Sequence, residues 1–239
     1  MKLGIMQPYF FPYIGYFQLI NAVDKWIVFD TVQYMRRHWV NRNRVLHPKS
    51  GWQYITVPLV RQPRETLIKD ILIANNHDWK NTILAQIEHY KKKAPFYEGT
   101  VDFLKECLFS AEARTESLSK LNVNCMKKVC ERLGIGFDFS VCSEMGLELG
   151  DINEPGDWTL RISELLGAEE YINPPGGRDI YDPVKFCARQ INLRFLDPAP
   201  SPYNQKGYEF VPGLSIIDVM MWNSADDVSR MIGECCLTD

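Results

Sequence analysis

The chain has little histidine, no paired-cysteine motif and no long apolar run, and each shortage excludes a class of function. The four histidines (His38, His47, His77 and His89) form no H-x-x-x-H pair, so the sequence offers no zinc site and no structural metal is expected. The seven cysteines (Cys107, Cys125, Cys130, Cys142, Cys187, Cys235 and Cys236) include no CxxC pair. Their odd number and mostly apolar settings predict reduced thiols packed as small core hydrophobes in a cytoplasmic protein. No stretch approaches the ~20 apolar residues that span a bilayer, and Lys2 followed by a short apolar run and Gln7-Pro8 does not read as a signal peptide. Insertion in a membrane is therefore not expected. The Gly-Lys-Ser/Thr ending of a P-loop and the G-x-S-x-G elbow of α/β-hydrolases are both absent. With a formal net charge of −3, there is no global electrostatic argument for a nucleic-acid partner.

What the chain does have is an unusual corner. A strand-like run, Lys2 to Met6, breaks off into Gln7-Pro8-Tyr9-Phe10-Phe11-Pro12-Tyr13-Ile14-Gly15-Tyr16-Phe17-Gln18, which holds two prolines, one glycine and six aromatics. Proline fixes the backbone and glycine frees it, so the stretch reads as a tightly specified strand-to-helix corner. In α/β sheets the corner after the first strand lies at the carboxyl edge, where ligands bind.

The rest of the chain alternates between strand and helix patterns. A helix over residues 14–23 and a second strand over 26–29 complete a βαβ unit. Residues 42–60 predict an extended hairpin turning at 47–51, and 67–73 a further strand. Three helices follow: one capped by Asp78 and running to Tyr90, one from Pro95 to about Phe109, and one from Ser117 to Gly134. Strands are expected at 137–142, 170–172 and 191–196, and helices at 157–166, 215–222 and 225–232, with Cys235-Cys236 in a frayed terminus. The organisation predicted is one α/β domain over 1–239, with a helical segment inserted at about 77–134.

Three constellations could carry chemistry. The segment Asp30 to Arg44 would leave strand two at the same sheet edge as the corner. Its Arg36, Arg37, Arg42 and Arg44 suit phosphate or carboxylate oxygens. Gln33 and Asn41 can hydrogen-bond, Trp39 can stack on a base or sugar, and Asp30 and His38 titrate. A solvated basic loop is the alternative reading of such a run. Gly176-Gly177-Arg178 follows a strand and could bring backbone amides and a charge to an anion, although from composition alone a tight turn needing positive φ is the better explanation of a glycine pair. Ser215 reads as a helix N-cap, with Asp218 as its capping-box partner.

Taken together, the opening motif, the Asp30 to Arg44 stretch, Leu166-Gly167-Ala168 with Tyr171, and Leu214-Ser215-Ile216-Ile217-Asp218 resemble the WbqC-like family, in order from the N-terminus to about residue 223. Members are associated with bacterial O-antigen and other surface-polysaccharide gene clusters, and an aminoacyl-transferase role on amino sugars has been suggested for some. A more distant likeness is to the nucleotidylyltransferase and class I synthetase-like fold. It implies a Rossmann-like (HUP-like), mostly parallel sheet. There, a His-x-Gly-His motif after strand one binds ATP phosphates; Tyr13-Ile14-Gly15-Tyr16 stands in its place here, with Gly15 leaving room for a phosphate at the helix start.

The resemblance implies an enzyme that transfers a small acyl or aminoacyl group, such as glycyl, to a nucleotide-linked amino sugar. An acyl-adenylate route would use ATP and magnesium. In this scheme Arg36, Arg37, Arg42 and Arg44 hold a pyrophosphate or carboxylate, and Tyr9, Tyr13, Tyr16 and Trp39 wall the sugar or base. Gln7 and Asn41 orient it, and Asp30 or His38 is the general base. The alternatives are a non-catalytic module that binds a glycan precursor or partner, and a nucleotidylyltransferase-like enzyme. The oligomeric state is left open.

Overall fold

Strand β1 (Lys2–Met6) carries Leu3 and Ile5, both almost fully buried, and pairs in parallel with β2 (Lys25–Val28), whose last three residues are buried as well. A strand buried on both faces needs cover on both sides, and the chain supplies it unequally. The computed structural model describes residues 1–198 and 202–238. On one face lie α1 (Ile14–Ala22), a hairpin of β3 (Arg42–Leu46) and β4 (Trp52–Thr56), and the helices α2 (Trp79–Ile87), α3 (Tyr97–Phe109) and α4 (Leu118–Leu133), all sharing one large apolar core. On the other face Leu3, Ile5 and Ile27 pack with Leu160 and Ile162 of α5 (Pro155–Leu165) and Phe186 of α6 (Pro183–Ala188).

With β5 (Phe139–Val141), β6 (Glu170–Asn173), β7 (Asn192–Pro198) and β8 (Cys235–Thr238), the main sheet has the order β5-β2-β1-β6-β7-β8. Its pairings are parallel except for β8 on β7, so the protein has an α/β fold with a mixed, mostly parallel sheet. From β1 the chain builds outward to β2 and β5, then returns to lay β6 on the opposite side. The order therefore reverses between β1 and β6. Adjacent loops diverge at such a point and leave a crevice beyond the carboxyl ends of the strands.

Several expected elements take another form. Residues 67–73 form a short 3-10 turn at Ile68–Asp70 flanked by isolated bridges at Leu67, Leu72 and Ile73 rather than a continuous strand, because the buried Ile68, Ile71 and Ile73 are spaced by three and then two. Asp78 stands at the start of α2, but its carboxylate accepts from the Asn81 side chain at 2.9 Å and not from the backbone; the helix continues as a 3-10 turn over Glu88–Lys92. Cys235–Thr238 is an edge strand bonded to β7, not a frayed end. Ser215 does cap α7 (Ile216–Trp222), accepting from Ile217 N at 3.2 Å. Asp218, however, is no capping-box partner: it is fully buried and accepts from Tyr203 Oη at 2.5 Å, from Gln205 Nε2 at 2.9 Å and from Tyr90 Oη. Burial raises its carboxyl pKa against the pull of those donors. A last helix, α8 (Ala225–Gly233), packs on α1.

Candidate functional site

The corner after β1 is held through its carbonyl oxygens. Buried carbonyls must find donors, and here the donors come from distant parts of the chain. Asn122 Nδ2, on α4, donates to Pro8 O at 2.9 Å and to Val40 O at 2.7 Å. Asn43 Nδ2, on β3, donates to Phe10 O at 3.0 Å and to Phe11 O at 2.8 Å. Ser215 Oγ adds a bond to Phe11 O at 2.7 Å, Ile216 N donates to Pro12 O at 2.9 Å, and Tyr16 Oη donates to Gln7 O. Phe11 sits at φ 41°, in the left-handed region that a bulky residue adopts only under constraint, and these bonds supply the constraint. Most of the aromatic richness is thus core: Phe10, Phe11, Tyr16 and Phe17 are buried.

Two residues escape the knot. Gln7 and Tyr9 face a cleft of about 830 Å³ at the switch point between β1 and β6. The cleft is bounded by aromatic rings, with Phe29 and Trp158 tilted against each other at 5.9 Å and Tyr9 set edge-on to His38 at 5.6 Å. Amide groups of Gln7, Gln33, Asn153 and Asn173 interrupt the apolar walls, and no lysine or arginine lines the cleft among the described residues. Its floor is a polar network in which Asn173 Nδ2 donates to Tyr171 Oη at 2.6 Å and to Tyr181 Oη at 3.2 Å. Gln7 Oε1 and His38 Nδ1 are buried with no hydrogen-bond partner among the described residues. Burial, and secondarily the Arg42 guanidinium, lowers the His38 pKa, so the ring is neutral at pH 7.

Of the residues expected to form a site, the structure brings Gln7, Tyr9, Gln33, His38, Gly176 and Gly177 together on this cleft. The others go elsewhere. Asp30 lies on a neighbouring groove, where its carboxylate accepts from Ser143 N at 3.0 Å and Ser143 Oγ at 2.7 Å; it does not face His38 across one pocket. Tyr16 is fully buried, and the Tyr13 ring folds over Gly15. Asn41 is a buried brace, accepting from Tyr34 Oη at 2.7 Å and donating to Val57 O at 2.9 Å. Arg42 and Arg44 alternate onto one face of β3, where Arg42 stacks on Tyr54 at 3.9 Å and Arg44 on Trp39 at 5.3 Å. Arg36 and Arg37 are exposed on the stretch between the cleft-lining Met35 and His38, with Arg36 donating to Gln62 O at 3.3 Å. Arg178 lies over Phe195 at 4.3 Å and donates to Thr238 Oγ1, at the β7–β8 edge.

The glycine pair is not a positive-φ turn, since neither Gly176 nor Gly177 is left-handed. Gly177 is needed for space: a Cβ there would stand 2.4 Å from Asn173 Oδ1. Asn153 and Glu154 also line the cleft without any signal in the sequence, and so does Trp158, whose 157–161 segment stands out in the sequence but points to no particular role. They stand where α5 begins, on the second face of the sheet, beside the β6 exit. The α5 terminus is already capped, with Asp157 Oδ2 accepting from Glu154 N at 3.0 Å.

An ATP phosphate at the start of α1 does not fit this arrangement. A Cβ on Gly15 would meet Tyr13 Cε2 at 2.4 Å, so the tyrosine ring occupies the approach that the glycine was expected to leave open. Among the described residues no group of three His, Cys, Asp or Glu side chains could hold a metal ion, and no helix is long and apolar enough to cross a membrane.

Residues 7–230 match the model of the WbqC-like protein family. The chain is 31% identical over 224 residues to an uncharacterized protein of Mycobacterium tuberculosis, an alignment covering 92% of each chain. No solved structure matches it. The match takes in the clamped corner, the cleft-lining stretch to His38 and the Ser215 segment alike, and the chain belongs to the WbqC-like family.

Proposed function

We propose that the protein is an enzyme of surface-glycan biosynthesis that transfers a small acyl or aminoacyl group to an amino sugar, the sugar lying in the switch-point cleft. The observation that carries this reading is the pairing of a neutral, unpartnered His38 with the unpartnered Gln7 Oε1 in an aromatic cleft that no cationic side chain lines. Aromatic faces and amides recognise a sugar's C–H face and hydroxyls, whereas a pyrophosphate would call for cations. The family's general link to glycan biosynthesis and the sheet order, which we read as Rossmann-like, support the same assignment.

In the step proposed, the sugar amine attacks the acyl carbon. The C–N bond forms, the bond to the leaving group breaks, and the amine's proton passes to the His38 imidazole. Gln7 accepts a hydrogen bond from the sugar and fixes its orientation. Arg36 and Arg37, exposed beside the cleft, meet the diphosphate of a nucleotide carrier at its mouth. A second reading, a non-catalytic module that binds a glycan precursor, is favoured by Asp30, whose carboxylate is already engaged by Ser143.

Calorimetric titration with UDP-, dTDP- and GDP-linked amino sugars tests the cleft, and absence of binding to all of them overturns both readings. With binding in hand, His38→Ala decides between them. Lost product with retained binding supports the enzyme; unchanged biosynthesis in a complementation assay supports the module.

A further inference from the structure

A second concavity, of about 310 Å³, opens beside the cleft beyond the ends of β2 and β5. It differs from the cleft in charge. Lys69, Lys120 and Lys127 line it; Lys69 and Lys120 make no ion pair among the described residues, and Lys127 reaches only Glu131 of its own helix, at 3.7 Å. The acids facing it are Asp30 and Glu144, and the Asp30 carboxylate is bonded to Ser143. Two of the three cations, Lys69 and Lys120, stand without a carboxylate partner among the described residues and are free to meet an anion.

The uncharged groups point the same way. Ser119 is only 4% exposed and lines the groove, and its hydroxyl has no hydrogen-bond partner among the described residues. Asn124 lines it too, with a buried Nδ2 donor that is likewise unpartnered. Both belong to α4, a helix of 16 residues whose first turn forms one wall and brings the positive end of its dipole. Among the described residues, a hydroxyl and an amide donor without partners and two ammonium groups without ion pairs form a donor set that outnumbers the groove's two carboxylates, Asp30 and Glu144.

We propose that this groove binds a phosphate group, as a site separate from the cleft. Lys69 and Lys120 supply the charge, and Ser119 Oγ and Asn124 Nδ2 complete the hydrogen bonds to the phosphate oxygens. The segment after β2 is the partition: Phe29, Val32 and Gln33 line the cleft, while Asp30 lines the groove.

The test is titration of the full chain with inorganic phosphate and with pyrophosphate, followed by calorimetry and phosphorus NMR, with no sugar present. Saturable binding is expected, weakened about tenfold by Lys120→Gln and further by the Lys69→Gln/Lys120→Gln pair, both at exposed positions that leave the core intact. Ser119→Ala, which changes no charge, is expected to weaken it as well. Trp158→Ala is expected to leave it unchanged, which separates this site from the cleft. Competition by ATP or by a nucleotide sugar assigns the groove to that ligand's phosphates, and competition by neither assigns it to free phosphate. No saturable binding of either anion, or binding indifferent to the double lysine variant, overturns the proposal.

Discussion

Asn122 and Asn124 sit two residues apart on α4, and replacing each by alanine separates a brace from an open donor. Asn122 is fully buried and gives its one donor group to two carbonyls, Pro8 O at 2.9 Å and Val40 O at 2.7 Å. Asn122→Ala strands both acceptors away from water, at roughly 1–3 kcal/mol each. It also removes Oδ1, which is itself buried without a partner, and so recovers part of that loss. The expected net destabilisation is about 3 kcal/mol, or a fall in melting temperature of about 6–12 °C for a chain of this size. Asn124→Ala removes an unpartnered buried donor and is expected to leave stability unchanged or slightly higher. Urea unfolding followed by tryptophan fluorescence measures both variants. If Asn122→Ala costs less than about 1 kcal/mol, or if Asn124→Ala costs as much, the clamp on the corner is not the interaction described.

Other consequences follow from the cleft. Because the His38 pKa is lowered from 6.5, the acid form appears only below that value: the rate of acyl transfer is expected to stay flat above it and to fall as pH drops through a lower midpoint. Arg42→Gln removes a charge that disfavours the imidazolium and is expected to move that limb to higher pH in the rate profile. Gly177→Ala forces its methyl to within 2.4 Å of Asn173 Oδ1 and is expected to cost about 1–3 kcal/mol in thermal unfolding, whereas Gly176→Ala meets nothing within 4 Å and is expected to be tolerated. Trp158→Ala is expected to weaken amino-sugar binding about tenfold by calorimetry while leaving the melting temperature nearly unchanged.

Much of the scaffold is legible in the sequence because its signals are local. The apolar run of β1, the 14–22 helix and the Gly134 stop of α4, at φ 66°, are each decided within one element. Residues 67–73 misled because Ile68, Ile71 and Ile73 mix spacings of three and two, and only tertiary bonds such as Lys69 N to Asp30 O select the turn. The site was harder to read. Strand alternation turns Arg42 and Arg44 to the aromatic face of the hairpin and Asn43 inward to the corner, so a run that looks like one ligand grip divides between two jobs. Gln7 and Tyr9 were identified, but their neighbours Tyr13 and Tyr16 fell to packing. The residues that complete the cleft, Trp158 and Asn153, lie about 150 positions away from them, and nothing local to the 157–161 segment or to Asn153 joins them to the corner.

The corner that presents Gln7 and Tyr9 also sets a timetable. Its first clamp, Asn43, comes early, but Asn122 and then Ser215 and Ile216 complete it across sequence separations of 114 and 204 residues. During synthesis, which proceeds at about 5–20 residues per second, the N-terminal stretch leaves the ribosome well before the partners that close it. Its clamp cannot close until Ser215 and Ile216 have emerged, and contacts of such long sequence separation are expected to form slowly. The corner can be fully clamped only once Asn122, Ser215 and Ile216 are in place, so a chain truncated before residue 215 would be expected to lack a fully ordered cleft as well as its final helices.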